Sequence, residues 1–276
     1  MSKKLALQEL TNELHLSHSQ VFTYLTCSLK YHFQYIERRR PERISIALPF
    51  GSAIHRAIER YYLGIKAKGG PEPLAIIQEL FEDSIRIDLE HTDIPLVFKK
   101  DTPDGDSAVE LGKAMLAAFY ENVDLSRMEI IAVELPLSAT LYTAQGKATD
   151  FKLIGVIDLL LRDDTGQIVA VDHKTAARAM SQTTADEAPQ MTAYAYLLAS
   201  NRYVFPASTV KCRFDVLRKL KTPKFEQVHT RRTAEQRKRF ARVATAVLDG
   251  IDRQVFIPQP SWMCADCQYK DACADW

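Results

Sequence analysis

The sequence predicts a mixed α/β domain, a small sheet flanked by helices. Three observations predict it. Apolar residues recur at spacings of three and four through the first part of the chain and again near its end. In the middle, short runs rich in Val, Ile and Leu read as strands. One helical stretch interrupts the strands, as in layered α/β domains.

The elements follow in order. Ser17 or Ser19 caps a predicted helix through Phe22, Leu25, Leu29 and Phe33, which ends at Arg38-Arg39-Arg40-Pro41. A second helix is predicted over 51–66, with Ile54, Ile58 and Tyr62 on one face. Two more are predicted over 74–89 and 107–121, separated by a loop with Pro95, Pro103, Asp104 and Gly105. Strands are predicted over 130–137, 151–162 and 167–174. The turn Asp163-Asp164-Thr165-Gly166 makes the last two a hairpin. A helix over 187–200, strands over 209–219 and 225–230, and a long basic helix over 233–254 complete the series. The chain of 276 residues reads as one domain: a mainly helical part (1–125), a core (126–232), and a helix with a cysteine tail (233–276).

Composition narrows the class. With 46% hydrophobic and 26% charged residues, the chain is an ordinary globular sequence. The net charge of +1 does not announce a nucleic-acid partner, although charge distribution matters more than its sum. No apolar run approaches the roughly 20 residues of a membrane span, so no membrane partner is expected. The start, MSKKLALQELTNEL, lacks the apolar region of a secretory signal. A cytoplasmic location is the resulting expectation. Five unevenly placed cysteines then favour metal ligation over disulfides.

The predicted hairpin carries the chemistry. Asp158 lies in the apolar run Ile154-Gly155-Val156-Ile157-Asp158-Leu159-Leu160, where a carboxylate needs a partner. Asp172 and Lys174 end the next strand and share a face, being two residues apart. Two carboxylates and an ammonium suit phosphodiester hydrolysis with Mg²⁺ or Mn²⁺. Taken alone, Asp-x-Lys is a weak signal, better explained by a structural salt bridge between Lys174 and one of the aspartates. Gln190 and Tyr194 share one face of the following helix. His55 sits near the start of the second helix, as a core histidine or a metal ligand. Glu134, in Val133-Glu134-Leu135-Pro136, is either an exposed strand carboxylate or a neighbour of this group.

In order, Gly51-Ser52-Ala53-Ile54-His55, Gly155-Val156-Ile157-Asp158, Val171-Asp172-His173-Lys174-Thr175 and Gln190-x-x-x-Tyr194 resemble the RecB-like branch of the PD-(D/E)XK nucleases. The resemblance implies a restriction-endonuclease-like core. It implies that His55, Asp158, Asp172 and the backbone carbonyl of His173 bind Mg²⁺ or Mn²⁺, and that Lys174 is catalytic. Gln190 and Tyr194 would line the DNA side of the site. Many relatives carry Glu where this chain has Asp172, which bears on metal preference.

The tail has Cys264, Cys267 and Cys273, a good metal-ligand spacing that by itself suits zinc or an iron–sulfur cluster. Cys27 is the candidate fourth ligand, and Cys212 reads as a buried small hydrophobe. One cysteine before the core and three after it resemble the iron–sulfur members of the family, such as AddB-type nuclease domains and RecB-like CRISPR-associated exonucleases. That implies a [4Fe–4S] cluster joining the two ends of the chain.

Three basic clusters are candidate DNA contacts or solvated faces: Arg38, Arg39, Arg40 and Arg43; Arg213, Arg218, Lys219, Lys221 and Lys224; and Arg231, Arg232, Arg237, Lys238, Arg239 and Arg242. Tyr24, Tyr31, Phe33 and Tyr35 are candidate base-stacking or core aromatics. The expectation is an exonuclease on single-stranded DNA or DNA ends, in repair, recombination, phage DNA processing or CRISPR adaptation. The sequence has no GxxxxGK[ST] loop, so the chain either works alone or joins a partner, such as a helicase, that unwinds DNA. Two competing readings are a non-catalytic DNA-end-binding module and a redox sensor built on the cysteines. Binding without cleavage in Mn²⁺ would mark the first, and activity lost on reversible oxidation would mark the second.

Overall fold

The computed structural model describes residues 14–143 and 145–276. The leading segment read above as lacking a signal region lies outside them. Strand β1 (His15–Ser17) runs into helix α1 (His18–Thr26). Ser17 caps α1 in a reciprocal capping box with Gln20. The predicted single helix through Phe33 is broken. Cys27 is extended at φ −163° and ψ 103°, and separates α1 from α2 (Ser28–Tyr31) and a π-helical turn (His32–Ile36). The break changes which residues are buried. Val21, Leu29 and Phe33 are in the interior, whereas Phe22 and Leu25 are about half exposed, at 48% and 49%.

A short strand β2 (Ile44–Ser45) leads into α3 (Ala47–Lys68), which carries His55 and extends the predicted helix at both ends. Its left-handed C-terminal glycine, Gly69 (φ 79°), ends it. Helix α4 (Leu74–Glu90), strand β3 (Leu96–Val97) paired with β2, and α5 (Gly105–Asn122) follow. Then come β4 (Met128–Tyr142), β5 (Ala148–Asp163) and β6 (Ile168–Ala176). A short helix α6 (Gln182–Glu187), not expected from the sequence, precedes α7 (Pro189–Ser200), which is the helix predicted over 187–200; Pro189 separates the two by holding Ala188 out of helical geometry. Strands β7 (Val210–Arg218) and β8 (Lys224–Arg232), helix α8 (Ala234–Asp252), a 3₁₀ turn (Trp262–Asp266) and α9 (Lys270–Ala274) complete the chain.

The six-stranded sheet has the order β1-β5-β6-β7-β8, with β4 on the other edge of β5. Strand β5 changes partner along one edge. Its start pairs in parallel with β1, ending at Ser17–Ile154, and its end pairs antiparallel with β6, from Leu159–Val171 onward. Between them, residues 155–158 face a fork in the sheet. Alternation sends Leu159, Leu161, Val169 and Val171 toward α3, α4 and α5, and Leu160, Ala170, Cys212, Phe214 and Val216 toward α7 and α8. The result is a sheet between two helical layers.

Packing in the first layer is tight at Gly112 of α5, where an added Cβ would overlap the Phe81 ring. Gly112→Ala should therefore lower stability by about 1–3 kcal/mol, read as a lower urea midpoint at unchanged m-value.

The basic clusters are corrected by burial. Arg213, Arg218, Arg232 and Arg237 are interior residues that hold the fold. Arg232 donates to Thr192 and to the Ala185 and Ala188 carbonyls, and Arg218 pairs with Glu226. Arg39, Arg40 and Arg43 are tied to Glu37, Asp93 and Asp271. Lys221, Lys224, Arg231, Lys238, Arg239 and Arg242 are exposed. Tyr31 and Phe33 are buried, and the Tyr24, Tyr31 and Tyr35 rings pack around one another and Phe256.

Candidate functional site

The sheet fork gathers the carboxylates. Asp158 emerges from β5 just before β6 begins to pair, so its side chain takes the place of the missing ladder partner. Asp158 Oδ2 accepts the His173 backbone N–H at 2.8 Å. The same oxygen lies 3.4 Å from His55 Nδ1 and 3.5 Å from His173 Nδ1. Glu134 stands opposite Asp158 on β4, between the pairs Val133–Leu159 and Leu135–Ile157. It adopts φ 50°, a left-handed conformation rare for a residue with a side chain. His55, Glu134 and Asp158 each offer a ligand atom within 4.8 Å of the others. This trio brings in Glu134, and Asp172 is not part of it.

Asp172 occupies the neighbouring position on β6. It is 1% exposed. Lys174 Nζ lies 2.6 Å from its Oδ2. Gln190 Nε2 and the Tyr194 hydroxyl reach its Oδ1 from α7 at 2.5 and 3.2 Å, and Gln190 also donates to the Tyr194 hydroxyl at 3.1 Å. Oδ2 is buried facing the Lys174 ammonium, which uses one of its two lone pairs and leaves the other for a further partner. Tyr194 is buried against Asp172, so it orients the carboxylate rather than lining an open DNA face.

The two aspartates are driven apart. Burial pushes the Asp172 carboxyl up, against the Lys174 ammonium and with help from the Asp158 charge, to about 6. For Asp158 burial also acts upward, but the His173 and His55 imidazoles and the His173 N–H outweigh it and hold its carboxyl below the usual range. Burial lowers the His55 imidazole despite the pull of Asp158, which favours the neutral ring that metal ligation requires. The His173 ring is buried and faces α3 between His55 and Tyr62. Only its backbone carbonyl had been singled out from sequence. Strand alternation, which puts His173 on the face opposite Asp172, was the available signal.

Away from the fork, a cavity of about 140 Å³ is lined by Cys27, Cys264, Cys267 and Cys273 with Leu29 and Phe33. The four cysteines that sequence grouped therefore converge on one cavity. Cys27 reaches it because α1 breaks there. The tail is strapped down by Ser28 hydrogen-bonding to Ile257, by the Gln268 carbonyl accepting from the Glu42 N–H, and by the Glu42 carboxylate accepting from the Asp271 and Ala272 N–H groups. Burial, then the neighbouring Cys27, Cys267 and Cys264, push the Cys273 thiol up. Cys212 is buried elsewhere in the core, as expected.

No helix among the described residues is long and apolar enough to cross a membrane. No curated protein matches the chain. Among solved structures, one similar chain is a protein from Eubacterium rectale named as a "putative exonuclease". It has 10% identity and a TM-score of 0.57, over 100% of this chain and 92% of that one, and it supports the fold. Another, SSO0001, aligns over 93% of this chain and 95% of its own at 15% identity, with a TM-score of 0.32. The family profile of the PD-(D/E)XK nuclease superfamily matches residues 15–274. That span includes the fork, its carboxylates and both ends of the cysteine set, and the chain belongs to the PD-(D/E)XK nuclease superfamily.

Proposed function

We propose that the chain is a Mg²⁺- or Mn²⁺-dependent DNA exonuclease of the RecB-like branch, acting on single-stranded DNA or DNA ends. The observation that carries this reading is the convergence at one sheet fork of His55, Glu134 and Asp158 beside Asp172 and Lys174. One imidazole and several carboxylates are a donor set suited to Mg²⁺ or Mn²⁺, and the second lone pair of Asp172 Oδ2, beside Lys174, fits a ligand role. The residues fit the metal that the family usually uses. His55, Asp158, Asp172 and the His173 carbonyl would hold it, with Glu134 beside them. When bound, it would polarise the phosphate and lower the pKa of its water.

The side chains then divide the work. Lys174 sits at the mouth of the fork, where its ammonium offsets charge developing on the phosphate or orients the attacking water. Gln190 and Tyr194 hold Asp172 in one rotamer. Exposed Lys221, Lys224, Arg231, Lys238, Arg239 and Arg242 are the candidate phosphate contacts. The cysteine cavity has room for more than a single ion, and its four thiols fit a [4Fe–4S] cluster with a structural role, tying α1 to the tail. DNA is the partner of this reading, with unwinding supplied by a helicase or by a CRISPR adaptation complex.

The test is digestion of end-labelled single-stranded DNA by anaerobically purified protein in Mg²⁺ or Mn²⁺. Cleavage by the wild type, lost in Lys174→Ala and Asp172→Ala, is the expected result. Binding without cleavage in either metal would overturn the catalytic reading.

Proton linkage gives a second expectation. Asp172 is protonated below about 6 and must lose that proton to bind a cation. Mn²⁺ affinity should fall by about tenfold per pH unit as pH drops below that point, and level off above it. Calorimetry at pH 5.5 in buffers of different ionisation enthalpy should show proton release. A pH-independent affinity would remove Asp172 from the ligand set.

A further inference from the structure

The fork has two lips. One is the end of β6, with Asp172 and Lys174. The other is the end of β1, where Ser17 pairs beside Ile154 and the chain turns into α1 at His18. The next residue on β5, Gly155, lies against α7: a Cβ built there would come 3.9 Å from the Tyr194 ring, and the Tyr194 hydroxyl reaches Asp172. The first turn of α1 starts at the β1 lip, close enough for the His18 imidazole to feel the Lys174 ammonium.

The first two turns of α1 present rings. His18 and Phe22 are stacked, with centroids 6.1 Å apart and planes 28° from parallel. Phe22 is 48% exposed, although the helix has an apolar face already buried through Val21. Burial, and secondarily the Lys174 ammonium, hold the His18 imidazole down at about 4, so the ring is neutral at physiological pH and adds no charge to the pair. The helix under Phe22 is capped by Ser17 and follows a strand paired to the sheet, so the backbone that carries the ring is held in place.

We propose that His18 and Phe22 form a stacking platform for a nucleobase of the strand whose phosphate lies at the fork. This rests on the nuclease reading and sharpens it. The bases of a paired duplex are occupied by their own stack, so a platform beside the cleavage point favours unpaired DNA. Base–aromatic stacking is tolerant of sequence because every base has a flat face. The platform thus selects single strands or frayed ends without selecting a sequence.

The experiment compares wild type, Phe22→Leu and Phe22→Trp on single-stranded oligonucleotides. Each oligonucleotide carries either a normal base or an abasic tetrahydrofuran residue at successive positions next to the cleaved bond. At one position the wild type should lose roughly tenfold in kcat/KM when the base is removed. Phe22→Leu should lose a similar factor on the normal strand and little more on the abasic one, because the two changes remove the same contact. Phe22→Trp should keep the wild-type pattern. Equal losses from base removal in wild type and Phe22→Leu, or no loss in either, would overturn the platform.

Binding is read in parallel as quenching of 2-aminopurine at the same positions. A wild type that cleaves nothing counts against the nuclease reading alone. The 2-aminopurine signal then decides the platform, by its presence in the wild type and its loss in Phe22→Leu. Quenching unchanged by Phe22→Leu would leave this exposed face to a different occupant and sink the proposal.

Discussion

Replacing Asp158 with Asn is expected to abolish divalent-metal binding at the fork and reduce DNA cleavage by at least roughly 10²–10³-fold. Asp158 is the point where the fork's interactions meet: one of its oxygens faces both imidazoles and the His173 N–H. An amide keeps the shape and can still accept the His173 N–H, but it carries no charge with which to bind a cation. The fold should therefore suffer little. A charge-assisted hydrogen bond becomes a neutral one, a loss of about 1 kcal/mol. Mn²⁺ titration followed by paramagnetic resonance, run with cleavage assays and urea denaturation, separates these effects. Lost metal and activity in a stable protein is the expected outcome. An Asn variant that still binds Mn²⁺ with wild-type affinity would mean that His55 and Glu134 hold the cation without Asp158.

The sequence displayed much of this site, for physical reasons. Asp158, inside an apolar run, announced its need for a partner, and the Asp163–Gly166 turn placed it beside the strand carrying Asp172 and Lys174. The four-residue spacing of Gln190 and Tyr194 put both on one helix face, and both reach Asp172. Periodicity could not show the fork itself. Strand β1 has three residues, too few to display a pattern, yet its pairing opens the gap at residues 155–158. Periodicity also misplaced Phe22 and Leu25, because the break at Cys27 turns the axis of the helix before the Leu29–Phe33 face begins. Charge was misread in the same way. The partners of Arg232 lie 40 or more residues away, whereas Asp215, the partner of Arg213, is only two residues on along the same strand face, and the structure puts both arginines among the largest fully buried side chains.

Arg213 leads to the largest stability effect expected here. Its guanidinium makes two parallel hydrogen bonds to Asp215, at 2.7 and 2.9 Å, with the side chains 1% and 0% exposed. Removing one partner of such a pair leaves the other charge buried and uncompensated. Arg213→Ala should cost about 3–5 kcal/mol, a large part of the roughly 5–15 kcal/mol that holds an ordinary domain together.

Exchanging both partners for apolar residues, as in Arg213→Met/Asp215→Leu, avoids the stranded charge and should recover most of that loss. The pair nevertheless has a second consequence. Asp215 is the register neighbour of His173 across β6 and β7, on the face where His173 meets Tyr62 and His55. Burial acts to lower the His173 imidazole, and Asp158 and then Asp215 overcome it and raise the ring. His173 in turn faces Asp158.

The double variant should therefore fold well but bind Mn²⁺ about tenfold more weakly, the usual scale for losing an outer partner of a metal ligand. Denaturation and metal titration of the single and double variants test this together. Full recovery of stability with unchanged metal affinity would make the pair purely architectural. Recovered stability with weakened metal would make it the charge behind the fork, setting the orientation of His173 and, through it, of Asp158.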